Sequence, residues 1–149
     1  MTTIKTIVII GIVLSLISCG TSAVENVDQK EQSIAAESYK LDIELNKGEK
    51  WKVNDQMMPF MKSSEQLLVE FQKKGNGDYK MLAADLKETN SKLISSCTMK
   101  GKSHDALHVW LHPHLDLVNE LQNSETEEEA TLVMEKLNRS FLAFSNYFQ

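Results

Sequence analysis

The chain is poor in cysteine and proline and carries none of the motifs that most often signal catalysis. Its 149 residues include two cysteines, Cys19 and Cys97, too few for a disulfide-stapled scaffold. A Gly-rich phosphate loop, a nucleophile elbow and a His-Glu-x-x-His pair are all missing, which argues against hydrolase or transferase chemistry. The absence of Cys-x-x-Cys-His excludes covalently attached haem. Positive charge is also short. Sixteen Lys and Arg stand against 21 Asp and Glu, a formal charge of −5. That balance argues against nucleic acid as a partner and against a polybasic grip on anionic lipid. The one conspicuous apolar run, Thr6 to Leu16, is too short to span a bilayer comfortably.

That run reads as an address. Lys5 supplies a short positive n-region, and Leu16-Ile17-Ser18-Cys19 resembles a bacterial lipobox. The resemblance implies cleavage of residues 1–18 as a signal peptide and acylation of Cys19, and more than one acyl chain makes membrane anchoring stable. Gly20 follows the cysteine where inner-membrane retention would call for aspartate. The expected location is therefore the cell envelope, on the outer membrane facing the periplasm, with the cell surface as the alternative. Loss of Lys5 takes the charge from −5 to −6, and the mature chain of 149 − 18 = 131 residues is one domain plus a tether. Cys97 is then alone in an oxidising compartment, either well buried, bound to something, or open to intermolecular pairing.

Residues 19–38, the acylated cysteine followed by a stretch rich in Ser, Glu, Gln and Ala, read as a flexible tether. Residues 39–149 form the expected domain. Tyr39, Leu41, Ile43 and Leu45 alternate with polar residues, and Asn46-Lys47-Gly48-Glu49 reads as a turn before Trp51 and Val53, so a short extended or β segment precedes the helices. Helical patterning then runs to the end. A first helix is expected from Asn54-Asp55, with Pro59 marking its first turn or a kink, and it stops at Lys73-Lys74-Gly75. Asp78 caps a second, with stripe Tyr79, Leu82, Leu86, Leu93 and Cys97. Ser103 caps a third, with stripe His104, Leu107, Leu111, Val118 and Leu121 and a bend expected at Pro113. Ser124-Glu-Thr-Glu127 reads as the capping box of a fourth, with Ala130, Val133, Leu137, Phe141, Phe144 and Phe148 on its inner face. Short connections make this all-α domain an up-down-up-down four-helix bundle.

All four histidines fall within eleven residues, 104 to 114, just after Cys97 and Met99. Up-down threading places the start of helix one, the end of helix two, the start of helix three and the end of helix four at one end of the bundle. Met57, Met61, Cys97, Met99, His104 and His108 are therefore expected to converge there. His104 and His108 are four apart and share a helical face, the usual spacing for two ligands on one helix. At about 100° per residue, His112 lies further round and exposed, and His114 lies on the other flank. Soft sulfur with imidazole suits Cu(I) best and Zn(II) next. Each residue also has a packing reading, because Met at helical spacing commonly fills cores. His104-Asp105 with Cys97 makes a poor nucleophilic set, since adjacent helical positions face different ways.

Haem is a further candidate, because a four-helix bundle with Met near the start of its first helix resembles the soluble b-type cytochromes. In those the histidine ligand comes from the last helix, which here has none. The segment Cys97-Thr-Met99-Lys-Gly101-Lys-Ser-His104-Asp105-Ala-Leu107-His108-Val-Trp110-Leu111-His112-Pro113, with Lys-Trp-Lys-Val-Asn at residues 50–54 before the first helix, resembles small lipoproteins of Bacteroidetes-type bacteria. That resemblance implies a lipidated helical bundle and supplies no catalytic residues. Three functions compete on these residues: a non-enzymatic envelope lipoprotein binding a soft metal ion for storage, sensing or handover; a metal-free module that docks or inhibits an envelope protein through an exposed patch around Trp110 and Leu117; and a haem-binding bundle.

Overall fold

The computed structural model describes residues 41–75 and 77–149. The expected signal peptide, the expected lipidation site at Cys19, the expected tether and the first residues of the alternating segment lie outside the described residues. Four helices follow one another: α1 Met58–Lys74, α2 Tyr79–Ser95, α3 Lys102–Asn123 and α4 Glu127–Tyr147. Each packs against its neighbour in the chain, and α1 also meets α4, which closes an all-α four-helix bundle.

The helix boundaries show which local signals won. α1 begins four residues later than expected, because Asn54 is used elsewhere. Its Nδ2 donates to Ser96 O at 3.0 Å, and its Oδ1 accepts from Thr98 N at 3.1 Å, so it clamps the α2–α3 connection rather than capping α1. Pro59 falls in the first turn, where its fixed φ fits and no amide hydrogen is needed. Gly75, at φ 68°, closes α1 after Lys73 and Lys74. Asp78 caps α2 as expected, accepting from Lys80 N at 2.8 Å.

α3 is capped by Gly101, not Ser103. Gly101 takes φ 65° and ψ −151°, which a residue with a Cβ strongly resists, and the helix starts at the next residue. Pro113 lies within an unbroken helix of 22 residues. The capping box of α4 is displaced by two residues to Thr126 and Glu129. Thr126 Oγ1 accepts from Glu129 N at 3.1 Å, while Glu129 Oε2 reaches back to Glu125 N at 2.8 Å. Ser124 is occupied otherwise: its hydroxyl donates to Glu120 O at 3.1 Å, and its carbonyl accepts from Tyr79 Oη at 3.2 Å.

Ahead of α1 the chain forms a strap. Lys47 (φ 55°) and Gly48 (φ 90°) both adopt positive φ between the bonded pair Asn46 and Glu49, a two-residue type I′ turn. The returning arm pairs with the C-terminus instead of with the preceding residues. Trp51 N donates to Tyr147 O at 2.8 Å, Gln149 N to Trp51 O at 2.9 Å and Val53 N to Gln149 O at 2.9 Å. Ile43 and Val53 turn into the core, whereas Leu45 enters the turn and is exposed, so the expected alternation ends at Ile43. The Asn54–Ser96 clamp and the Trp51–Phe148 pairing bring the start of α1, the end of α2 and the end of α4 to one end of the bundle, and α3 starts there too.

Candidate functional site

α3 carries two kinds of histidine. His104, His108 and His112 recur every four residues on its outer edge, the first two half-buried and the third exposed. They form a ladder. His108 Nε2 lies 3.1 Å from His104 Nε2, and His108 Nδ1 lies 2.8 Å from His112 Nε2. The rings of His104 and His108 meet edge to face with centroids 4.4 Å apart. Each short nitrogen–nitrogen contact holds one proton between its two nitrogens. Two inner protons and two outer nitrogens allow at most four protons on three rings, so the intact ladder carries no more than one positive charge. Partial burial, then the neighbouring charges of His104 and His112, push the His108 pKa below the ordinary imidazole value, against the opposing pull of Asp105.

A neutral ladder has lone pairs to offer. A 3.1 Å span between two nitrogens subtends roughly 100° at an ion with bonds of about 2.0–2.1 Å, close to the angle that zinc and copper accept. Ligating histidines commonly donate their remaining N–H to an acceptor, and His112 Nε2 is in place to take that of His108.

Met57 and Met61 lie in the apolar core, and Cys97 and Met99 are half-buried against it, Cys97 as a free thiol. Among the described residues no group of three or more His, Cys, Asp or Glu side chains is arranged to hold a metal ion. The donors seen in mutual contact are the imidazole pair, with His112 beside it.

His114 is different in kind. It is wholly buried, stacked on Trp110 with centroids 4.7 Å apart and edge-on to Phe141 at 5.0 Å. Its Nδ1 lies 3.0 Å from Ser140 Oγ, while its Nε2 is buried with no hydrogen-bond partner. Burial lowers its pKa to about 4. The placement of His114 on the far flank is corrected by this, and its spacing was the missed signal: Leu107, His114 and Leu121 are seven apart, on one stripe.

The patch around Trp110 and Leu117 is corrected as well. Trp110 is 0% exposed, with Nε1 donating to Ser140 O at 2.8 Å, and Leu117 is 7% exposed. α3 buries a broad face, two or three residues per turn, because both α2 and α4 pack against it. That removes the surface on which the docking-module reading rested.

Comparison with protein-family models, curated proteins and solved structures gave no match. The functional argument rests on the residues themselves.

Proposed function

We propose that this chain is a non-enzymatic, lipid-anchored envelope protein whose His104–His108 pair takes up a soft or borderline metal ion, copper ahead of zinc, for storage, sensing or handover. The observation that carries the reading is the 3.1 Å approach of two imidazole nitrogens, with a third imidazole beside the pair to orient it. Copper leads because it heads the affinity order for nitrogen donors, and because Cys97 and Met99 offer soft sulfur nearby in sequence. Anchoring rests on the lipobox-like Leu16-Ile17-Ser18-Cys19.

One electrostatic feature supports uptake. The depressed pKa of His108 favours its neutral, ligating form near neutral pH. Binding releases protons from the ladder, so affinity falls as pH drops.

The test is anaerobic titration of the full chain with Cu(I), alongside Cu(II) and Zn(II), against the His104→Ala/His108→Ala variant. The pair predicts loss of binding in the double variant and a loss of roughly 10–100-fold in His112→Ala. Equal weak binding by all three proteins refutes it. Cys97→Ser reports whether the thiol adds a bond, and intact-mass measurement on protein from a lipoprotein-processing host reads acylation at Cys19.

A further inference from the structure

The chain is acidic as a whole, yet four lysines line a single cleft. Lys50 and Lys52 come from the strap, and Lys100 and Lys102 from the α2–α3 connection and the first turn of α3. With Ser103 and Glu49 they border a space of about 310 Å³. Among the described residues none of the four lies within 4 Å of a carboxylate. Lys92–Glu88 and Lys136–Glu120 are the ion pairs among the described residues. Lys50 Nζ donates to the carbonyl of Ser145 at 2.6 Å, which fixes the ammonium without neutralising it. Glu49 is the one acidic side chain on the lining. Four cations gathered round one carboxylate, in a chain with 21 acidic residues available for pairing, form a local excess of positive charge.

The lining adds hydrogen-bond donors to this charge. The Ser103 hydroxyl holds only a long, 3.4 Å contact to Lys100 O and is free to turn towards a better acceptor. The backbone N–H groups of Lys102 and Ser103 have no intrahelical acceptor, and Gly101 brings no side chain to cap them. One wall is the Trp51 ring, held by its Nε1–H bond to Glu44 O at 2.7 Å.

We propose that the lysine cleft binds a phosphate-bearing anion. Lysine ammoniums are compact point charges that can surround a multi-oxygen phosphate from several sides. The cleft volume lies at the lower edge of the range of small-molecule sites, roughly 300–1,000 Å³, which suits a diphosphate or a phosphorylated headgroup. The same chemistry has two sources. Cys19 precedes the strap in the chain, so on the anchored protein proposed above a lipid headgroup is a second source of this chemistry besides a free phosphate. This inference does not rest on the metal reading, since no cleft residue belongs to the histidine pair.

Calorimetric titration of the full chain with inorganic phosphate and with pyrophosphate tests it. Saturable binding, weakened about tenfold or more in Lys100→Gln/Lys102→Gln and unchanged in Lys87→Gln and in His104→Ala/His108→Ala, supports the cleft. The source is read with the full chain carrying Cys19→Ala, sedimented with phosphatidylcholine vesicles with or without phosphatidylglycerol. Extra sedimentation with the anionic lipid, reversed by pyrophosphate, assigns the headgroup. Pyrophosphate binding with equal sedimentation on both vesicles assigns the free anion. Non-saturable titration with no anionic preference overturns the proposal, as does equal weakening by Lys87→Gln.

Discussion

Acidification from pH 7 to pH 5 should selectively weaken the fold through His114. The ring is fully buried between Trp110 and Phe141, with Nδ1 facing Ser140 Oγ and Nε2 facing no acceptor. Neutral His114 fits this site with the proton on Nδ1 and a bare lone pair on Nε2. A second proton would put both a charge and an unmatched donor in apolar surroundings, and the pKa accordingly falls from 6.5 to about 4. Because the folded value is depressed, the unfolded chain binds more protons between these two pKa values, so stability rises with pH across that window. The stabilisation is complete above pH 6.5, declines as pH falls towards 4, and changes no further below it. The full difference is about 3 kcal/mol, from 1.36 kcal/mol per pKa unit, of which about 2 kcal/mol is lost between pH 7 and pH 5. Urea denaturation at both pH values, on the native chain and on His114→Leu, isolates the effect, because the carboxylates contribute alike to both. NMR titration of the His114 ring protons gives the folded pKa directly. Parallel pH dependence in the two proteins, or a folded His114 titrating near 6.5, would refute the reasoning.

Other changes give equally definite readouts. Among the described residues Asn90 is buried with both amide atoms unpartnered, and Ser64 buries an unpartnered hydroxyl, so Asn90→Leu and Ser64→Ala should each raise the unfolding free energy in urea by about 1 kcal/mol; a lowered value would contradict that. Leu86→Ala and Leu137→Ala, both at fully buried positions, should cost about 2–5 kcal/mol each in the same assay. Asn54→Ala removes both bonds of the clamp on the α2–α3 connection and should cost about 1–2 kcal/mol, with faster amide exchange at Thr98 as its local signature. Metal uptake by the histidine pair should weaken on acidification, with the loss at His108 setting in below the ordinary imidazole pKa, as competitive chelator titrations across pH will report.

The bundle was legible in the sequence because its signals agree across levels. Lys73-Lys74-Gly75, Asp78 and the stripe of α4 each behave as their chemistry dictates. Errors arose where one residue had two possible uses. Asn54 looks like a helix cap, but its side chain found two backbone partners across the bundle end. Ser124 and Thr126 both begin an S/T-x-x-E pattern, and the choice fell to tertiary bonds made by Ser124. Gly101 outcompeted Ser103 because the sharp entry into α3 needs positive φ. At the site, the four-residue spacing revealed the His104–His108 contact, but a narrow stripe was read where α3 buries a broad one. That single underestimate misplaced Trp110, Leu117 and His114 together.

The two histidine populations of α3 show how position on one helix divides labour among identical side chains. His104, His108 and His112 sit where one ring can reach the next and solvent supplies and removes protons. They form an exchangeable set, capped at one extra charge by their own contacts. His114, two residues after His112, is rotated about 200° from it and faces the core, where its nitrogen is shut off from protons. Substituting the ladder should therefore leave stability nearly unchanged while altering ion uptake, and substituting His114 should do the reverse. Measured on the same protein, that crossed pattern separates a surface chelating pair from a core packing residue. A ladder variant that unfolds the bundle, or a His114 variant that abolishes metal binding without loss of stability, would show that the two faces of α3 are coupled in a way that their separate surroundings do not explain.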